Sequence, residues 1–208
     1  REVIKNYEIH DVYEFFKNEF EYLNKKDNLE NLKSEQLELI KKDIKLRKYL
    51  TEYTICNISK YYYINDTIQK IQPDFIFHLA AQSHPPTSFK DPILTYEENV
   101  SATVNLITVL EGTKTRFMFC STSEVYGDTC KDVGLLSVNT PIKPSNPYGA
   151  SKAAMDLYVQ ERSINGFLDG FVTRAFSHTG PRRGKIFSIS SDAYQIAAME
   201  LGLQEKVL

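Results

Sequence analysis

Hydrophobic positions change their spacing near residue 54. In residues 1–50, Leu29, Leu32, Leu37, Ile40, Ile44 and Leu50 recur at close to helical intervals in a background of Lys, Glu and Asn, with no Gly or Pro. This predicts a charged helical segment, read as a surface helix or insertion, or as a remnant of a cofactor-binding half. Beyond residue 54, short apolar runs alternate with longer helical stretches. FIFHLAA (75–81) follows Pro73-Asp74 and reads as a strand covered on both faces. In residues 91–112, Tyr96, Val100, Val104, Ile107 and Leu110 predict a helix ended by Gly112. RFMFCS (116–121) is a second strand. A helix from Pro147 to Ile164 follows, stopped by Asn165-Gly166, and GFVTRAF (170–176) is a third strand.

Strand, helix, strand, helix, strand predicts an α/β fold of the doubly wound, Rossmann-like kind with a parallel sheet. In such sheets ligands gather beyond the carboxyl ends of the strands. The segments there are QSHPPTS, STSEVYG and SHTGPRRG, all polar and rich in hydroxyls. The expected division is 1–50 as the charged segment, 51–176 as the Rossmann-like core and 177–208 as the start of a second lobe.

Composition narrows the function classes. With 208 residues, 42% hydrophobic and 25% charged, the chain has the make-up of an ordinary globular protein. A net charge of −2 gives no reason to expect nucleic acid. Cys56, Cys120 and Cys130 form no C-x-x-C pair, which argues for reduced thiols and a cytoplasmic setting. No run approaches the ~20 apolar residues that span a bilayer. His10 and His84 have no partner at ligand spacing, so no metal is expected.

The chemistry concentrates in NPYGASKAAMD (146–156). Asn146 suits a helix cap and Pro147 the first helical position. Tyr148 and Lys152 then share a face at i, i+4. An ammonium beside a phenol, at a helix N-terminus, favours the phenolate and suits it to take a proton from a hydroxyl. The same spacing also occurs on ordinary helices. Its context is what distinguishes it: Thr122, Ser123 and Glu124 end the preceding strand, offering a hydroxyl and a carboxylate.

These strings resemble the extended short-chain dehydrogenase/reductases, nearest to the nucleotide-sugar 4,6-dehydratases and their GDP-mannose branch. IQPDFIFHLAAQSH, STSEVYG, NPYGASKAAMD and FSHTGPRRG carry the resemblance over roughly residues 54–208. The resemblance implies a lyase that oxidises the sugar at C4, removes water across C5 and C6, and reduces C6. It implies Thr122, Ser123, Glu124, Tyr148 and Lys152 as the catalytic set. Thr122 would hold O4, Tyr148 take its proton and Glu124 serve as base at C5. It implies cofactor contacts at Asn57, Ile58, Leu79, Ala80, Ala81, Gln82, Ser83, Lys152, His178 and Arg183, and substrate contacts at Ser83, Ser177 and Arg182. The implied cofactor is NADP, with NAD the alternative. The implied partners are a GDP-sugar, GDP-mannose first, and further copies of the chain in a homodimer or homotetramer, through helices 91–112 and 147–165.

The family's opening G-x-x-G-x-x-G is not in this chain, whose first glycine is Gly112. The expectation is an interior piece of a longer enzyme or a degenerate relative, impaired in pyrophosphate binding as it stands. The alternatives are an epimerase or reductase of the same family, and a non-catalytic fragment without cofactor binding.

Overall fold

The computed structural model describes residues 58–132, 134–180 and 183–205. Residues 1–50, Asn57 and Arg182 lie outside them. The chain divides into two compact units, one within Cys56–His178 and one that takes in Thr179–Leu208.

In the first unit, helix α1 (Tyr61–Ile71) leads through Pro73-Asp74 into strand β1 (Phe75–His78). Two short helices follow, α2 (Pro85–Lys90) and α3 (Pro92–Tyr96), each with proline in its first turn. A π-helical turn (Glu97–Ser101) joins α3 to α4 (Ala102–Leu110). Strand β2 (Arg116–Thr122), a 3-10 turn (Ser123–Val125), the short α5 (Thr129–Asp132), the long α6 (Pro147–Ile164) and β3 (Asp169–Ala175) complete the unit. The strands form a parallel sheet in the order β1-β2-β3. Phe75, Arg116 and Asp169 lie in one cross-strand row, and Phe77, Met118 and Phe171 in another.

The core lies on one face of this sheet. Phe117 and Phe119 of β2 are fully buried against Ile64 of α1, Leu106, Ile107 and Leu110 of α4, and Met155 and Val159 of α6. Each such side chain contributes about 1.5–3 kcal/mol by leaving water. Alternate residues of a strand point to opposite faces, so Phe75 and Phe77 stand on the other side. They are 55% and 64% exposed, and FIFHLAA is therefore not covered on both faces. Among the described residues, the helices that build the core pack on the face of Phe117 and Phe119. The strand itself ends at His78, because Leu79–Ser83 turn into the loop before α2.

The stretch 91–112 is helical as its periodicity predicts, but a different stripe is buried in its first half. Thr95, Asn99 and Thr103 face inward, whereas Tyr96 is 41% exposed. These three polar groups meet partners that a leucine could not satisfy: the Gln82 amide, the Gln82 backbone with Ser151, and His78. The run ends at Gly112, whose φ of 74° favours glycine.

Helix α6 buries Tyr148, Ser151, Lys152, Met155, Asp156 and Val159 along one side. Asp156 is wholly buried, and burial alone would raise its carboxyl. Hydrogen bonds from Arg174 of β3, with that from Gln160, hold it below the ordinary carboxylate value. Arg174 grips both oxygens, Nε to Oδ2 at 2.8 Å and Nη2 to Oδ1 at 2.9 Å. Its Nη1 also donates to the Tyr126 hydroxyl and to the Val138 carbonyl, both at 3.0 Å, tying the loop before α6 to the sheet.

Removing one partner of such a pair strands the other. Asp156→Ala is expected to lower stability by about 3–5 kcal/mol in urea denaturation. The paired Asp156→Leu, Arg174→Met variant should recover most of that loss.

Candidate active site

The carboxyl end of β2 and the N-terminus of α6 meet. Thr122 closes the strand, and its Oγ1 accepts from the Glu124 backbone N–H at 3.2 Å, capping the 3-10 turn that carries Ser123 and Glu124. Asn146 is extended (φ −145°, ψ 160°), and its Oδ1 accepts from the Gly149 N–H at 2.7 Å, the cap that the Asn-Pro pair predicts. Its other side-chain atom, Nδ2, donates to Glu124 Oε2 at 2.8 Å. Gly149 permits this approach: a Cβ there would sit 2.8 Å from the Glu124 carbonyl oxygen.

Tyr148 is buried, and its backbone N–H donates to Ser88 Oγ at 3.0 Å. Ser88 in turn donates to the Pro85 carbonyl, so α2 holds the tyrosine's turn of helix. One turn further on, Lys152 is 4% exposed, with Nζ 4.2 Å from the centre of the Phe119 ring. Among the described residues it makes no hydrogen bond or ion pair, although the carboxylate of Asp156 is only one turn away. That carboxylate is committed to Arg174 and Gln160. Burial brings the Lys152 ammonium down to about 8, with smaller opposing pulls from Cys120 and Asp156.

The same ammonium acts on His78 at the end of β1. Burial first, and the Lys152 charge second, bring His78 down to about 4, so it is neutral at pH 7. Its Nε2 lies 2.8 Å from Thr103 Oγ1, whose own hydrogen goes to the Asn99 carbonyl. Thr103 must therefore accept, and Nε2 carries the hydrogen.

The loop after β1 is held from beneath. Asn99 accepts from the Gln82 N–H at 2.8 Å and donates to the Gln82 carbonyl and to Ser151 Oγ, both at 3.0 Å. Gln82 Nε2 donates to Thr95 and its Oε1 accepts from the His84 N–H. Leu79, Ala80 and Ser83 are exposed, and Ala81 and Gln82 are half-buried. Leu79–Ser83 thus forms a backbone ledge fixed by Asn99, with apolar side chains presented outward.

Other predicted site residues lie elsewhere. Ile58 is half-buried against the hydrophobic core. Ser177 and His178 are exposed after β3, and His178 Nδ1 donates to the Phe176 carbonyl at 2.8 Å. In the second unit, the Arg183 guanidinium lies 3.6 Å from the Phe187 ring centre. A cavity of about 310 Å³, lined by Gln72, Asp74, Thr113 and Thr115 among others, is at the amino ends of β1 and β2, opposite the predicted site. Among the described residues no group of three His, Cys, Asp or Glu side chains could hold a metal ion, and no helix is long and apolar enough to cross a membrane.

Sequence reasoning missed Asn99, Ser88 and the second bond of Asn146. Asn99 is buried in a π-helical turn, a feature frequent at functional sites, but the turn itself has no sequence signature. Glu124 is 22 residues from Asn146, beyond the reach of any local pattern.

A parallel sheet with hydroxyl and carboxylate at one strand tip, and Tyr-x-x-x-Lys on the next helix, defines an extended short-chain dehydrogenase/reductase of Rossmann type. More closely, the chain belongs to the GDP-mannose 4,6-dehydratase family, whose model matches residues 3–208. It is 35% identical over 134 residues to a GDP-6-deoxy-D-mannose reductase of Pseudomonas aeruginosa, covering 64% of this chain and 44% of that protein. It is 34% identical over 145 residues to a GDP-mannose 4,6-dehydratase of Yersinia enterocolitica, covering 66% and 38%. The structure of RMD from Pseudomonas aeruginosa with NADPH superposes with a TM-score of 0.68 at 31% identity, over 75% of this chain and 53% of that one. A double mutant of DesIV from Streptomyces venezuelae, a dTDP-glucose 4,6-dehydratase with NAD and DAU bound, gives 0.66 at 26% identity, over 80% and 48%. The matched stretch spans less than half the length of the two relatives named first.

Lys152 provides a test of the site's electrostatics. The unfolded lysine titrates near 10.5 and the folded one near 8. Between these values the unfolded chain holds a proton that the folded chain has released, so stability rises with pH across that window; below it the full penalty remains. Lys152→Met is expected to stabilise the fold at pH 7 by roughly 1–3 kcal/mol in urea denaturation, with the gain shrinking between pH 8 and pH 10.5.

Proposed function

We infer that the protein to which this chain belongs is a nicotinamide-dependent GDP-mannose 4,6-dehydratase. One observation carries the reading: Lys152 is a buried side chain, 4% exposed, whose ammonium lies over Phe119 and makes no hydrogen bond or ion pair among the described residues, one turn along the helix from Tyr148. A largely desolvated ammonium without a hydrogen-bonded acceptor is costly, and a ligand that supplies hydroxyl acceptors would relieve it. The hydroxyls of a nicotinamide ribose fit that role. The ledge Leu79–Ser83 fits the passage of the cofactor beyond β1, and His178 and Arg183 are its further contacts by resemblance. NADP is the preferred form, in line with the NADPH in the structure of RMD.

A bound nicotinamide would supply the transient oxidation, as hydride acceptor at sugar C4 and hydride donor at C6. The residues of the chain move the protons. Tyr148 takes the O4 proton as C4 becomes a ketone, and Thr122 donates a hydrogen bond to that oxygen. The ketone acidifies the C5–H bond, and Glu124 removes this proton. The C6–O bond then breaks, and the proton leaves with the hydroxyl as water. Hydride arrives at C6, and C5 takes up a proton from solvent while Tyr148 releases the one it took from O4, which returns every group to its starting state. The product is a GDP-4-keto-6-deoxy sugar, and the cofactor ends in its starting state. Ser123 positions groups within the Thr-Ser-Glu set. Ser83, Ser177 and Arg182 are the proposed substrate contacts, with residues 177–208 the start of the sugar-nucleotide lobe and a homodimer or homotetramer the working assembly.

The reductase of Pseudomonas aeruginosa among the relatives favours one alternative, reduction of a keto sugar nucleotide. Incubation of the full-length protein with GDP-mannose distinguishes the two. The dehydratase forms a 4-keto product without net loss of NADPH; steady oxidation of NADPH against a keto sugar nucleotide identifies the reductase. Within the dehydratase, Tyr148→Phe is expected to lower kcat by about 10²–10⁴. Glu124→Gln should keep hydride removal from C4 and lose release of water.

A further inference from the structure

Asn146 does two jobs with two ends of one amide. The Gly149 backbone N–H can only donate, so the atom facing it at 2.7 Å is Oδ1. The other end is then necessarily the NH₂ group, which meets Glu124 Oε2 at 2.8 Å. Any good cap would satisfy the helix: Asp and Ser serve as well as Asn in that position. Neither can also donate to a carboxylate in this geometry, since an ionised Asp has no hydrogen and the Ser hydroxyl is too short to span both partners. The second contact therefore asks for Asn specifically, and stability of the helix does not explain it.

From this geometry we propose that Asn146 is a positioning residue for Glu124, setting the carboxylate relative to Tyr148. Asn146 is two residues from Tyr148 on the same helical entry, so one side chain fixes both the start of α6 and the acid at the tip of β2. Gly149 supports the arrangement by letting the helix meet the Glu124 carbonyl without a Cβ between them. With one oxygen held by Asn146, the second is oriented for proton transfer. This role rests on the assignment of Glu124 as the base at C5.

The full-length protein tests it with Asn146→Asp and Asn146→Ser, both of which keep the cap. Three quantities are read: thermal unfolding, hydride removal from C4 in a single turnover, and solvent deuterium incorporated at C5. The expected result is near-native melting and near-native hydride removal, with C5 exchange slowed about 10- to 100-fold, the scale of a lost hydrogen bond to a charged group. Asn146→Asp should be the slower of the two, because it sets a second carboxylate against Glu124. Native C5 exchange in both variants overturns the proposal. So does a parallel fall of melting temperature, hydride removal and exchange, which would mark Asn146 as structural only. Glu124→Gln separates the two levels. If it exchanges C5 at the native rate, the assignment of Glu124 is wrong and that of Asn146 falls with it. If Glu124→Gln is blocked and the Asn146 variants are native, only the Asn146 proposal fails.

Discussion

Two opposite charges are buried on one side of helix α6, four residues apart, and they make no direct ion pair with each other. Asp156 is bound on both oxygens by Arg174 and on one by Gln160, so its charge is answered from β3 and from its own helix. Lys152 is left with the face of Phe119. An ammonium over an aromatic ring gains a modest attraction, well short of what its desolvation costs. The packing of α6 on β2 imposes this. Tyr148, Lys152, Met155 and Val159 share the helical face that meets the sheet, and burial of that face against Phe119 and Val159's neighbours takes the lysine with it.

The site follows from the same contact. Because α6 crosses β2 with Gly149 against Glu124, the tip of one element and the start of the other form a joint. Thr122 and Glu124 come from the strand side, Tyr148 and Lys152 from the helix side. Polar groups beneath, Asn99, Thr95, Ser88 and Ser151, hold the loop after β1 and the first turn of α6 in fixed relation. The lysine's field reaches His78 as well, and the histidine stays neutral as a donor to Thr103.

Much of this was legible in the chain. Apolar runs bounded by turn residues marked β2 and β3 within one residue and the start of β1, whose predicted end is three residues too far, and Asn146-Pro147 with Asn165-Gly166 marked both ends of α6. The strings after the strands pointed to the residues at the joint. Local patterns failed where a residue answers a distant partner. The inward stripe of Thr95, Asn99 and Thr103 serves groups on other elements, so an apolar periodicity pointed to Tyr96 instead. The exposure of Phe75 and Phe77 depends on which face the helices choose, which strand composition does not encode. Commitment of Asp156 to Arg174, 18 residues on, is what leaves Lys152 without a carboxylate, and a helix pattern with Lys and Asp at i, i+4 would suggest the opposite.

The most direct measurement is the titration of the Lys152 amine itself, followed by NMR in protein labelled at the lysine side chains and assigned by comparison with a protein lacking Lys152. The expected midpoint is near 8 in the free protein, with an upward displacement when NADPH is added and gives the ammonium acceptors. A midpoint at the ordinary 10.5, or one that NADPH leaves in place, would contradict it.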